Sequence, residues 1–245
     1  MPRFSVAVFL PSLIASTAVV AIMPASVASA DPAPPAVPPP ATVSAPAPDD
    51  GAGKTTGYFR VDTDGLGTQL WFGATHDLGS VAVASDIYVV GSIGEFDIGP
   101  ALAFGDVALT PMMGIAFDFA AREAVSLVPQ LYTIVNTDPL YFESWIQVFL
   151  NSPLTDEAPD VFYTRDFLLY ELGDTLAVGA QAELSYTMND SPGVFESGVS
   201  SLPVGGRINL AYGENNTLGL FLGYDTQAPD DAGALTGRFT FIRLW

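Results

Sequence analysis

The chain contains no cysteine and only one histidine, His76, in 245 residues. Those absences exclude a disulfide framework, a thiol nucleophile, lipid attachment at an N-terminal Cys and a zinc site built from Cys and His. No cofactor is expected. Basic residues are scarce as well: 8 Lys and Arg stand against 27 Asp and Glu, for a formal net charge of −19. No basic patch can neutralise phosphates, so nucleic acid is excluded as a partner. Charge of either sign is thin, at 14%, against roughly 25% in typical soluble domains. A water-soluble globule would be short of solvated surface.

What is present begins with an export pattern. Arg3 supplies a minimal basic start, and Phe4 to Met23 is apolar apart from breaks at Pro11 and Pro24. The run closes on Ala28-Ser29-Ala30, the small-x-small pattern that signal peptidase reads. Residues 1–30 are therefore expected to be a signal peptide cleaved after Ala30. The competing reading is an uncleaved anchor, since the apolar run is nearly long enough to span a bilayer. Residues 31–55 are rich in Pro and Ala, as in Ala33-Pro34-Pro35-Ala36-Val37-Pro38-Pro39-Pro40. Proline fixes φ and removes backbone donors, so this stretch reads as a disordered, extended periplasmic linker without a core. Some twenty residues at about 3.1 Å each would reach roughly 60 Å.

From residue 56 to 245 the texture is period-two alternation, with no further apolar run long enough for a membrane helix. Val204, Ile208, Leu210 and Tyr212 share one face, opposite Gly205, Arg207, Asn209 and Ala211. Leu176, Val178, Ala180, Ala182, Leu184 and Tyr186 oppose Gly179, Gln181, Glu183, Ser185 and Thr187. Leu218, Leu220, Leu222 and Tyr224 alternate with Gly219, Phe221, Gly223 and Asp225. Phe96, Ile98, Leu102 and Phe104 alternate with Glu95, Asp97, Gly99 and Ala101. Each segment thus has one apolar face and one polar or small face. The breaks predict strands near 57–63, 67–76, 80–91, 95–104, 107–119, 124–136, 140–150, 161–172, 175–188, 202–213, 217–226 and 235–245. That is about twelve, with ten as the lower count; 124–136 and 161–172 alternate poorly.

The fold class expected is all-β, an antiparallel transmembrane β-barrel of about 12 strands (10–12). A soluble barrel or sandwich would turn the apolar faces inward, leaving Gly, Ala, Ser, Thr and Gln to meet water. A bilayer reverses the demand, because the outer face must be apolar and the lumen can be polar. Tyr186, Tyr212, Tyr224, Phe104 and Trp245 fall near strand ends, where interfacial aromatic girdles sit. The long connections 151–160, 189–201 and 227–234 all fall at odd-to-even strand junctions. The even-to-odd junctions, such as Gly105-Asp106 and Gly173-Asp174, are tight. Short periplasmic turns and longer outer loops have this parity.

The chain ends in Arg238-Phe239-Thr240-Phe241-Ile242-Arg243-Leu244-Trp245. This end resembles the last strand of bacterial outer-membrane β-barrel proteins, the porin-like and small barrel class. The resemblance implies that Phe239, Phe241 and Trp245 form the signal read by the barrel assembly machinery; Arg243 departs from the pattern. It also implies location in a bacterial outer membrane, with the lipid bilayer and lipopolysaccharide as surroundings.

The lumen faces are expected to hold Asp62, Asp86, Glu95, Asp97, Asp118, Glu143, Glu183 and Asp225, opposed by Arg60, Arg207 and Arg238. Rings of acids attract cations, so one reading is a porin-like channel with an acidic, cation-favouring lumen for small cationic solutes. The other is a set of Arg–carboxylate pairs filling a narrow lumen, since buried charges must pair. A non-conducting structural or surface-binding barrel would act through its outer loops, where Asp156, Glu157 and Asp160, and Asp225, Asp230 and Asp231, cluster. A lipid hydrolase would need a Ser within reach of His76, with Ser80 across the turn as the nearest in sequence. No nucleophile elbow surrounds it, and the chain is not expected to be an enzyme.

Overall fold

The computed structural model describes residues 53–155, 158–190, 195–229 and 234–245. The expected signal peptide and most of the linker lie outside the described residues. So do Asp156, Glu157, Asp230 and Asp231.

The alternating segments form β1 (Thr55–Asp64), β2 (Gly67–Asp77), β3 (Ala82–Val90), β4 (Ile93–Phe104), β5 (Val107–Asp118) and β6 (Glu123–Thr137). They continue as β7 (Leu140–Phe149), β8 (Val161–Glu171), β9 (Leu176–Thr187), β10 (Gly198–Ser201), β11 (Pro203–Tyr212), β12 (Asn216–Asp225) and β13 (Leu235–Leu244). Apart from β10 and β11, neighbours in sequence pair antiparallel, and β13 closes on β1 with Tyr58 opposite Leu244 and Thr63 opposite Phe239. β10 and β11 both pair with β9. They are two lengths of a single stave, interrupted by a register shift between Val199 and Ser201. The result is a closed barrel of twelve staves. Part of the expected loop 189–201 is therefore strand: Gly198 faces Thr187 across the ladder.

Closure gives each stave a paired neighbour on both sides, which is the condition for crossing hydrocarbon with strands. No described helix is long and apolar enough to cross a membrane. Connection lengths sort by end. At one end the staves join through tight turns such as Gly105-Asp106, which links Phe104 and Val107. Gly105 has φ +62°, the conformation a two-residue hairpin demands of its first loop residue. Both described chain ends lie here: Gly53 N–H donates to Asp77 C=O at 2.9 Å, and Trp245 N–H to Gly57 C=O at 3.0 Å. The long connections stand at the other end, called the loop end below.

The side chains sort as the alternation predicts. Phe96, Ile98, Ile208, Leu220, Leu222 and Phe239 are exposed on the outside. Their strand neighbours Glu95, Asp97, Arg207, Phe221, Arg238 and Thr240 are buried inside. The expected girdle aromatics are exposed near strand ends: Phe104, Tyr212 and Trp245 at the turn end, Tyr186 and Tyr224 at the loop end. An exterior that is apolar while the interior carries charge is the inverse of a soluble globule and matches a lipid surround.

β6 and β8 alternate poorly because both of their faces are apolar near the turn end. On β8, Phe167 and Leu169 point inward into a small core with Ala177 and Tyr141, while Leu168 and Tyr170 point outward. The exterior has one conspicuous departure. Asp166, between buried Arg165 and Phe167, faces outward at the middle of β8, opposite Ser144 and Ala182, and accepts from Thr164 Oγ1 at 2.8 Å. A carboxylate in hydrocarbon is destabilising. Asp166→Leu is expected to raise the unfolding free energy of the barrel by about 1–2 kcal/mol, read as a higher urea midpoint in lipid vesicles. A lowered midpoint would mean that this face does not meet lipid.

Candidate functional site: a charged septum between two cavities

Inside the barrel, Asp62 on β1 is 0% exposed. Its carboxylate is surrounded by three guanidinium groups. Arg60, two residues along β1 on the same face, donates from Nη2 at 3.0 Å and Nε at 3.2 Å. Arg165 on β8 donates from Nη1 at 3.0 Å. Arg238 on β13 reaches it at 3.5 Å and joins it to Glu183 at 2.9 Å and Asp64 at 2.8 Å. Strand positions explain the gathering: Arg165 is the direct partner of Glu183 across β8 and β9, and Asp62 pairs with Thr240 next to Arg238.

Neutral groups complete the network. Tyr163 and Gln181 donate to Glu183 at 2.8 and 2.6 Å, and Tyr141 donates to Glu143 at 2.8 Å. Arg60 approaches Glu143 at 3.5 Å. Two guanidiniums also lie over aromatic faces, Arg60 over Trp71 at 5.3 Å and Arg165 over Trp145 at 5.0 Å. Such stacking contributes more where water is excluded. Beyond this network the barrel opens both ways. At the turn end is a cavity of about 380 Å³, lined among others by Tyr58, Trp71, Tyr132, Arg165 and Arg207. At the loop end a second, of about 390 Å³, is lined by Asp64, Tyr88, Gln147, Glu183 and Arg238. Trp145 touches both. The ion pairs form a septum between two vestibules.

Most of the expected lumen residues are inside. Arg60, Asp62, Glu143, Glu183 and Arg238 belong to the septum, and Arg207 lies beside it. Asp86, Glu95 and Asp97 occupy a separate patch on β3 and β4, away from any arginine ion pair. Asp86 and Asp97 are directly opposite each other in the ladder. Tyr58 donates to Asp86 at 3.1 Å; Gln130 donates to Asp97, and Gln147 to Glu95 at 3.3 Å. Two of the expected residues are elsewhere. Asp118 ends β5 and accepts backbone N–H groups of Ala120 and Ala121, at 2.8 and 3.3 Å. Asp225 ends β12 and accepts from Ser201 Oγ and the N–H groups of Leu202 and Gln227. Both are where a chain reversal leaves backbone donors to satisfy, so their carboxylates cap loops rather than line the centre.

The sequence reading missed Arg165, which is 1% exposed and central to the septum. Its signal was obscured because β8 alternates poorly, yet parity from Tyr163 and Phe167 would have found it. Among the inward glutamines, Gln181 falls on the polar face that the alternation assigns it, whereas Gln69, Gln130 and Gln147 were missed. Their regular placement on polar faces was the available sign. Asp160 lies in the loop-end connection, where it organises the backbone: its carboxylate accepts from Asn151 N–H at 2.7 Å and Ser152 N–H at 2.8 Å. His76 forms its hydrogen bond with Thr55 Oγ1, at 3.1 Å. Phe239 and Phe241 alternate with inward Arg238 and Thr240 on β13, and Trp245 lies against Gly57.

Asp62→Asn keeps the shape but leaves three guanidiniums without their shared charge. Breaking a buried pair from one side typically costs about 3–5 kcal/mol. A fall of that order in the unfolding free energy, read from urea denaturation in lipid vesicles, is expected; an unchanged midpoint would mean that the septum does not hold the barrel.

No family model and no curated protein matches the sequence. Among solved structures, a NanC porin aligns with TM-score 0.51 and 9% identity, over 77% of this chain and 98% of that one. A KdgM porin aligns with TM-score 0.46 and 11% identity, over 78% and 98%. The outer membrane protein Omp33 of Acinetobacter baumannii aligns with TM-score 0.41 and 7% identity, over 79% and 98%. With its twelve closed staves, apolar exterior and charged interior, the chain has the fold of the porin-like outer-membrane barrels.

Proposed function

We propose that the protein is a porin-like channel of a bacterial outer membrane, admitting small solutes through a passage limited by the Asp62 septum. The observation that carries the reading is the pair of cavities, one toward each end, with the septum between them and Trp145 lining both. A purely structural barrel has no need of two such vestibules. The outward apolar surface is proposed to meet lipid and, at the loop end, lipopolysaccharide. Phe239, Phe241 and Trp245 are proposed to present β13 to the assembly machinery.

Cation preference is the finer part of the proposal. Eight inward carboxyl groups (Asp62, Asp64, Asp86, Glu95, Asp97, Glu143, Glu171 and Glu183) face four inward arginines (Arg60, Arg165, Arg207 and Arg238). The arginines are mostly matched within the septum, which leaves Glu171 at the turn end and Asp86, Glu95 and Asp97 on the facing wall without one; acids this close share protons, so their negative charge, and with it the cation preference, grows with pH. Charge fixed on a pore wall selects the opposite sign. One observation favours a second reading, a non-conducting barrel acting through its loops: ion pairs cross the septum, with Asp62 bonded to three arginines.

The refolded chain is expected to give discrete conductance steps in a planar bilayer, with a cation-to-anion permeability ratio above one. Neutralising the unpaired wall by Asp86→Asn with Glu95→Gln should bring the ratio toward one. Heat-dependent gel mobility reports folding. A folded sample that stays silent would overturn the channel reading and favour the second; steps without cation preference would overturn only the finer part.

A further inference from the structure

All three tryptophans of the chain, Trp71, Trp145 and Trp245, line the turn-end cavity, together with Arg165 and Arg207. Arg207 stands apart from the septum arginines. It is 2% exposed, yet no carboxylate among the described residues is within ion-pair distance. Its Nε and Nη1 donate to neutral acceptors, Asn209 Oδ1 at 2.9 Å and Gln181 Oε1 at 2.7 Å. Its guanidinium stacks 4.3 Å over the Phe167 ring. Nη2 takes part in neither bond and lies beside Gly219, where a Cβ would meet it at 2.6 Å. The glycine makes room for the fork to hold this position.

Arg165 adds to the same wall. It is 1% exposed, and its Nε and Nη2 make no hydrogen bond. Glu143 Oε1, which likewise accepts none, is 3.9 Å from that Nη2. Buried charge is costly unless it is paired and hydrogen-bonded. A guanidinium is shaped to be matched by a carboxylate, often through two parallel hydrogen bonds. The wall beside them carries aromatic rings, with Trp71 and Trp145 edge to face at 5.7 Å, while the carboxyls of Asp86, Glu143 and Glu171 line other parts of the cavity. A cavity of about 380 Å³ falls in the size range of small-ligand pockets.

We propose that the turn-end cavity is a binding site for a small organic carboxylate. Arg207 and Arg165 hold the carboxylate, and the apolar body packs against Phe167 and the tryptophan pair. A bound hydroxyl could accept from Arg165 and donate to Glu143, so hydroxy acids are expected to gain further affinity. The site lies beside a lumen whose overall charge is negative, and its discrimination is local. It requires no open septum, so a folded sample that conducts no current tests it equally well, and the two readings fail separately.

The test is tryptophan fluorescence of the full chain, folded in detergent at fixed ionic strength, during titration. Cyclohexanecarboxylate is compared with cyclohexanecarboxamide and cyclohexylammonium, which share its body but not its charge. A saturable response to the carboxylate is expected, at least about tenfold tighter than to either other probe, as a charged hydrogen bond supplies. Arg207→Gln should weaken carboxylate binding by about tenfold or more, and Arg243→Gln, on the exposed face, should leave it unchanged. If Arg207→Gln does not fold, Arg207→Lys keeps the charge but loses the fork and should still bind severalfold more weakly. Equal binding of the three probes, an unsaturable response, or wild-type affinity in the folded Arg207 variant would overturn the proposal.

Discussion

The structure depends on one buried carboxylate. Asp62 is fully buried between the two cavities, and three arginines on β1, β8 and β13 converge on it. Removing charge from water is expensive, and mutual attraction offsets that cost only when the geometry is good and the remaining donors find acceptors. Staves far apart in sequence are tied through this point. Arg165 and Asp62 are 103 residues apart, and Arg238 and Asp62 are 176 apart. Backbone ladders fix each strand to its two neighbours, whereas the septum links staves across the lumen. The septum also fixes register, because slipping a strand by one residue would turn its charged partner toward lipid.

The exterior follows from the same separation of charge. A chain with only 14% charged residues can place most of its inward-facing charge inside and clothe the outside in Phe, Ile, Leu and Val. In water this arrangement would aggregate. In a bilayer it is the stable one, and the apolar surface need not be covered by further layers of protein. Small inward residues then matter where large ones converge. Gly219 admits the Arg207 fork, and Gly73 leaves space for the ring of Tyr58.

Much of this was legible in the sequence, because a strand with different neighbours on its two faces writes its orientation in period two. The clear alternation of β4, β9, β11 and β12 gave inside and outside for Glu95, Glu183, Arg207 and Leu220. Connection lengths separated the two ends. The pattern failed where both faces are apolar. On β8, Leu168 and Tyr170 face out while Phe167 and Leu169 pack inward, and Arg165 was lost among them. The break inside the tenth stave was also hidden, since Gly198–Ser201 resembles a polar loop and is strand only by pairing with β9. Asp118 and Asp225 lie on polar faces in sequence, but at strand ends the demand of free backbone donors takes their carboxylates. Which acids would meet an arginine could not be read at all, because those pairings depend on closure and on rotamers across the lumen.

The central claim is that apolar faces meet lipid while the charged faces close on the septum. The absence of cysteine makes it directly testable. Single cysteines placed along β9 of the full chain, refolded in vesicles and carrying a small fluorophore, can be quenched by lipids with nitroxide-labelled tails. Quenching is expected at Val178, Ala180, Ala182 and Leu184, and protection at Ala177, Gln181 and Ser185. Quenching that followed the opposite set, or showed no period of two, would contradict the account.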